Sequence, residues 1–216
     1  MDLERAATPR CPTVFLLSPA LVNGPRGRLL RSRRSSFPAA VQLRQGDALP
    51  IAELFSFISA LYFRGKIAYA QFFATCPAEV ADLSVLVIAP GFGLVPPEWP
   101  VTLQRLQRLA RIPVDPERPA YVRPLRAAAL DLHNRLPGGA RVVLLGSLAT
   151  GKYIDVLRPC LGERLHFPIA FTGTGDMQRG AMMLKAARSG KELTYAPCGP
   201  RPARREAPEA PLGTNP

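Results

Sequence analysis

Apolar residues fall into short runs bounded by turn formers, and these runs alternate with longer stretches of helical spacing. Residues 13–19 (Thr-Val-Phe-Leu-Leu-Ser-Pro) are of strand length and end at Ser18 and a proline that cannot continue a ladder. Residues 84–89 (Ser-Val-Leu-Val-Ile-Ala) and 142–145 (Val-Val-Leu-Leu) repeat the pattern, and such unbroken apolar runs suit strands covered on both faces. Residues 165–171 read as extended, with Pro168 arguing for an edge or irregular strand, and residues 193–196 read as a short last strand. From residue 51 to 74, Ile51, Leu54, Phe55, Ile58, Leu61, Tyr62, Gly65, Tyr69 and Phe72 share a helical stripe. Phe57, Phe63 and Phe73 lie on other faces, so this helix is expected to be largely buried, with Gly65 permitting close approach or a bend. Arg64 and Lys66 read as ordinary solvent-facing charges, with projection to an active-site rim as the alternative. Residues 102–110, capped by Thr102, together with 125–136 and 177–189, complete the helices.

This alternation predicts an α/β fold: a single three-layer domain with a mostly parallel, Rossmann-like sheet over residues 13–196, flanked by disordered segments at 1–12 and 197–216. Parallel strands place their trailing loops on one edge, where open α/β sheets bind ligands. The loops following Ser18, Ala89, Leu145 and Phe171 therefore define the expected site. Gly146, Ser147, Thr150, Gly151 and Lys152 satisfy most of the phosphate-loop pattern, in which amides and a lysine hold phosphates. Tyr153 stands where that pattern needs a short hydroxyl, and no later apolar strand ends in a magnesium-holding aspartate, which argues against ATP hydrolysis. A simpler phosphate or carboxylate grip fits better. Gly91 and Gly93 permit a tight loop after the second strand, and Thr172, Thr174 and Arg179 surround a further glycine-rich turn. Asp176 reads as the N-cap of the last helix and Asp155 as a residue one turn inside the preceding one; both are acid–base candidates.

The chain of 216 residues carries a formal net charge of +12, a field that favours nucleic acid, nucleotides, acidic substrates or an anionic surface. The densest positive charge is Arg26, Arg28, Arg31, Arg33 and Arg34, set among turn formers as a solvated loop suited to phosphate contacts. Four dispersed cysteines make no metal-ligand cluster, neither His133 nor His166 has an identifiable partner, and no nucleophile elbow or carboxylate pair appears. No metal site is expected and no cofactor is identified. The start lacks a secretory pattern, and no apolar run reaches the roughly 18 residues of a spanning helix, so a cytoplasmic protein without membrane insertion is expected.

The segments Leu-Tyr-Phe-Arg-Gly-Lys-Ile-Ala-Tyr-Ala (61–70) and Val-Ile-Ala-Pro-Gly-Phe-Gly-Leu-Val-Pro-Pro (87–97) resemble a group of uncharacterised bacterial and phage α/β domains. Those domains carry an LY-S-LF-K-A-Y-A helix and a strand ending in S-A-x-Y-G-L-x-P. Leu-Leu-Ser-Pro-Ala (16–20) is similar to the start of the YaaA peroxide-stress family. Pro90 and Phe92 depart from the first pattern, which usually has a lysine and a tyrosine there. The resemblance implies an α/β fold akin to base-excising glycosylases and a role in nucleic-acid or nucleotide metabolism, and assigns no catalytic residue. Together these features lead to the expectation of a nucleotide, modified-base or nucleic-acid phosphate binder, with an enzyme of nucleic-acid processing as its extension. A non-catalytic polyanion-binding module, or a hydrolase or transferase of a small anionic metabolite, is the alternative.

Overall fold

A computed structural model describes residues 11–148 and 150–199; the expected disordered ends lie largely outside the described residues. The chain runs β1 (Thr13–Leu17), α1 (Pro25–Arg31), α2 (Pro38–Gln45), β2 (Leu49–Pro50), α3 (Ile51–Phe73), β3 (Val85–Ala89), β4 (Gly93–Val95), β5 (Pro100–Val101), α4 (Leu103–Arg111) and α5 (Pro119–Arg135). It continues with β6 (Arg141–Leu145), α6 (Ile154–Leu161), β7 (Leu165–Pro168), α7 (Asp176–Ser189) and β8 (Tyr195–Pro197). Six strands form one sheet in the order β4-β3-β1-β6-β7-β8, and β2 pairs with β5 apart from it. The four central strands are mutually parallel, while β4 and β8 close the edges antiparallel.

The apolar runs predict this burial because every residue of β1 and β3 is covered. Phe15, Leu17, Val87, Val143 and Leu145 face α1 to α4 and α7. Their strand neighbours Val14, Leu16, Ile88, Val142 and Leu144 face α5 and α6. The result is a three-layer α/β domain with helices on both faces of a mostly parallel sheet. The chain leaves β1 for β3 on one side and later returns to β6 on the other. The order therefore reverses between β1 and β6, and a crevice opens beyond the carboxyl ends of strands at such a switch point.

Two local features bring α3 to that crevice. Gly65 and Gly180 let α3 and α7 touch backbone to backbone: a Cβ on Gly65 would lie 2.7 Å from the Gly180 carbonyl oxygen, and one on Gly180 would lie 2.9 Å from Leu61 O. The expected close approach at Gly65 is thus real, but the bend falls at Ala60, whose φ of 41° interrupts α3. An alanine held there stores on the order of 1–3 kcal/mol of strain.

Several boundaries differ from the sequence expectation for identifiable reasons. The arginine-rich stretch is half helix rather than loop, because Pro25 opens α1 at its first position and Gly27 fits against the Val22 carbonyl, where a Cβ would lie 2.0 Å away. The helix α5 starts earlier than its apolar period suggests and accommodates Pro124, and α6 likewise contains Pro159. Gly175 is the N-cap of α7, with its amide donating to Gln178 Oε1 at 3.3 Å, so Asp176 is the first helical residue rather than the cap. Thr102 caps α4 as expected, accepting from the Arg105 amide at 3.3 Å.

The glycine contact yields a direct test. Replacing Gly180 with valine is expected to destabilise the fold by about 1–3 kcal/mol through overpacking, read as a lower midpoint in urea unfolding; an unchanged midpoint would show that α3 and α7 do not depend on this contact.

Candidate functional site

Ser18 follows β1 directly, and Gly146 follows β6, so both stand at the mouth of the switch-point crevice. The Ser18 amide donates to Leu145 O at 3.2 Å, which continues the β1–β6 ladder one residue past the strands. A Cβ on Gly146 would lie 3.0 Å from Ser18 Cβ and 3.3 Å from its hydroxyl oxygen. Glycine here keeps the flank of Ser18 clear.

Lys66 of α3 reaches Ser18 at this end of the sheet. It is 1% exposed, and its Nζ donates to Ser18 O at 2.9 Å and contacts Ser18 Oγ at 2.7 Å. The same Nζ lies 3.8 Å from the centroid of the Tyr62 ring, one helical turn earlier on α3. Among the described residues no carboxylate forms an ion pair with it. Burial away from water lowers its pKa from 10.5 to about 7; Asp176 opposes that shift, while Lys152 and Arg179 reinforce it. Lys66 is therefore a buried candidate site residue that sequence reading placed on the solvent side. Its position in the stripe one turn after Tyr62 and next to Gly65 was the available signal.

Two phenols complete the lining. Tyr153, the residue that breaks the phosphate-loop pattern, is buried beside Ser18, and burial pushes its pKa up. Tyr62 is 6% exposed, and burial, with Asp176 adding, raises its pKa as well. The Tyr62 hydroxyl lies within electrostatic reach of Ser18 and Arg179 but has hydrogen-bond geometry to no described residue. A buried hydroxyl left in that state costs about 1–3 kcal/mol.

The other expected site residues divide into three groups. Ser18, Gly146, Lys152, Asp176 and Arg179 come together around Lys66. Lys152 is half-buried, with its Nζ 5.2 Å from the Tyr153 ring and its carbonyl accepting from the Tyr121 hydroxyl at 3.0 Å. Arg179 is buried and already engaged: it donates to Phe171 O at 3.3 and 3.1 Å and contacts Thr174 Oγ1 and Asp176 Oδ1 at 3.4 Å. It organises the turn before α7 while lending its charge to the crevice. Asp176 remains 66% exposed.

Other candidates serve the loops themselves. Thr174 donates to Phe171 O at 3.0 Å, Thr172 is exposed, and Gly151 is buried with φ of 68° beside exposed Thr150. Ser147 is half-buried in the same loop, and Asp155 is exposed in the first turn of α6, where its amide donates to Gly151 O at 2.9 Å. Because α6 begins at Ile154, after Gly151 and Lys152, the loop does not run straight into a helix as a phosphate loop does. Gly91 and Gly93 lie on the expected edge and pack closely against neighbouring elements. A Cβ would lie 2.2 Å from Ile112 at Gly91 and 2.7 Å from Pro124 O at Gly93, so these glycines shape the β3–β4 turn against α4 and α5.

The arginines of residues 26–34 make no contact with Ser18 or Lys66 among the described residues. Arg26 donates to Phe57 O and Arg31 to Gly27 O and Val22 O, while Arg28, Arg33 and Arg34 are exposed. Near them, Arg105 stacks on Trp99 and Arg108 on Phe92, with the two rings 4.9 Å apart. A cleft of about 710 Å³ lies at the opposite edge of the sheet, where Arg135 pairs with Asp82 at 2.7 Å and Asp131 at 3.8 Å. It holds none of the residues gathered around Ser18.

No group of three or more potential metal ligands occurs among the described residues, and none of their helices is long and apolar enough to cross a membrane. No protein-family model matches the chain, nor does any curated protein or solved structure. What defines its class is the architecture itself, a three-layer α/β domain with a buried lysine at the switch point of its sheet.

The lysine makes stability depend on pH in a specified direction. Its folded-state pKa lies below its unfolded value, so between pH 7 and 10 the unfolded chain holds more protons and stability rises with pH. Lys66→Met removes that contribution. Urea-unfolding midpoints are expected to climb from pH 7 toward pH 10 in the wild type and to climb less in Lys66→Met; parallel curves would mean that Lys66 titrates as an ordinary lysine.

Proposed function

We propose that the protein binds a nucleotide, a modified base or a nucleic-acid phosphate at the carboxyl edge of its sheet, and that it acts in nucleic-acid or nucleotide processing. The observation that carries this reading is the gathering of Lys66, Lys152 and Arg179 near Ser18, with the exposed Asp176 as a counter-charge. Cations brought together in a low-dielectric crevice repel one another, and an anion relieves that repulsion. The unpartnered Tyr62 hydroxyl supplies a donor to the same ligand. The resemblance of residues 61–70 and 87–97 to bacterial and phage domains, and of residues 16–20 to the YaaA family, points to the same area of metabolism and to a bacterial source. Free thiols at all four cysteines suit a cytoplasmic setting.

A second reading has its own support. No acidic residue forms an ion pair with the α1 or α4 arginines among the described residues, so this face keeps its positive field and suits a polyanion. Salt separates the two readings, since a phosphate-backbone contact weakens steeply with salt and ignores base identity.

Titration of labelled nucleotides and short DNA or RNA tests the site. Lys152→Ala is expected to weaken binding by about tenfold or more, the value of one charge-assisted contact, while Arg28→Ala leaves nucleotide affinity unchanged. Equal affinity of wild type and Lys152→Ala would remove the crevice from the account; a loss confined to Arg28→Ala would favour the polyanion module.

A further inference from the structure

Anion binding leaves the pairing of Ser18 with Lys66 unexplained, since a surface lysine would grip a phosphate as well. The Nζ of Lys66 has three partners: Ser18 O at 2.9 Å, Ser18 Oγ at 2.7 Å, and the Tyr62 ring face at 3.8 Å. An ammonium group can direct an N–H to each. A neutral amine can keep two N–H groups on the carbonyl and the ring while its lone pair accepts the Ser18 hydroxyl proton. Both protonation states thus satisfy the same three partners, so a proton can move between oxygen and nitrogen without rearrangement. That is what a general base needs.

The surroundings favour the neutral state. The titratable and charged groups facing the amine are Tyr62 from α3, Lys152 and Tyr153 from the loop before α6, and Asp176 and Arg179 from α7. Burial, Lys152 and Arg179 lower the basicity of Lys66 toward neutrality against the opposing pull of Asp176. Gly146 sets no side chain against Ser18 Oγ, and the Tyr62 and Tyr153 phenols lie beside the same hydroxyl.

We propose that Ser18 is a nucleophile, that Lys66 is its general base, and that the pair cleaves a phosphate ester held at the carboxyl edge, an inference that rests on the anion-binding reading above. In the first step Ser18 Oγ bonds to phosphorus and its proton passes to Lys66 Nζ. The phosphorus–oxygen bond to the leaving alcohol breaks, its electron pair stays on that oxygen, and Lys66 returns the proton to it. In the second step Lys66 takes a proton from water as the water oxygen attacks the phosphoserine phosphorus. The bond to Ser18 breaks and the proton returns to Ser18 Oγ, which restores the enzyme and releases the phosphate product. Lys152 and the Tyr62 hydroxyl face the charge that develops on the phosphoryl oxygens.

A fluorophosphonate probe reads this directly, because an activated serine displaces its fluoride and keeps the phosphonyl group. The full chain is expected to acquire one adduct, mapped to Ser18 by mass spectrometry, at a rate that rises through pH 7. The adduct is expected to be absent in Ser18→Ala and slowed by roughly a hundredfold or more in Lys66→Met, with hydrolysis of bis(p-nitrophenyl) phosphate following the same pattern. Thermal melting confirms that the variants fold, and the wild-type pH profile tests the base independently of any variant. An unlabelled Ser18, or labelling whose rate is flat through pH 7, overturns the proposal. Nucleotide binding that persists beside an unlabelled Ser18 overturns the chemistry alone, whereas loss of both overturns the anion site as well.

Discussion

The structure depends on one costly arrangement, a lysine amine held out of water against a serine. Removing an ammonium from water is among the most unfavourable steps in folding unless the group is well partnered or sheds its proton. Lys66 does both: it has a carbonyl, a hydroxyl and an aromatic face as partners, and burial shifts it toward the neutral amine. The elements around it make this arrangement tolerable. The Gly65–Gly180 contact allows α7 to close over α3, Arg179 ties down the turn that leads into α7, and Gly146 prevents β6 from crowding Ser18.

Location gives the arrangement its meaning. A lysine buried in the middle of a core would be an expense without return, but Lys66 meets Ser18 at the carboxyl ends of β1 and β6, where the strand order reverses. The last ordered hydrogen bond of that strand pair belongs to Ser18 itself, so the hydroxyl is positioned by the sheet rather than by a loop. Rigid placement of this kind is what a reacting group requires. The arginines of α1 and α4 stay outside, where two of them are stacked on Phe92 and Trp99 and others reach backbone carbonyls. They contribute a long-range positive field.

Much of the fold was legible in the sequence because continuous apolar runs of strand length leave few alternatives to a covered parallel sheet. The shared edge followed from that sheet, and Ser18, Gly146 and Lys152 lie along it. The rest depended on information that no local pattern carries. Gly91 and Gly93 resemble a ligand loop, but their missing side chains make room for Ile112 and for the carbonyl of Pro124. The same residue type at Gly146 spares Ser18, and only the tertiary neighbour separates the two cases. Lys66 was misread because a charge in a helical stripe ordinarily faces water; its burial follows from a glycine contact between helices more than a hundred residues apart. Helix α1 was taken for a loop because its arginines outweighed the helix-start signal of Pro25.

The state of one proton decides the account. A nitrogen-detected NMR titration of the protein with labelled lysine reports the protonation of Lys66 Nζ directly, with Lys66→Met assigning the signal. The account predicts a Lys66 resonance that titrates near pH 7, far from the ordinary lysine value of 10.5. A Lys66 amine that remains charged up to that ordinary value would contradict it.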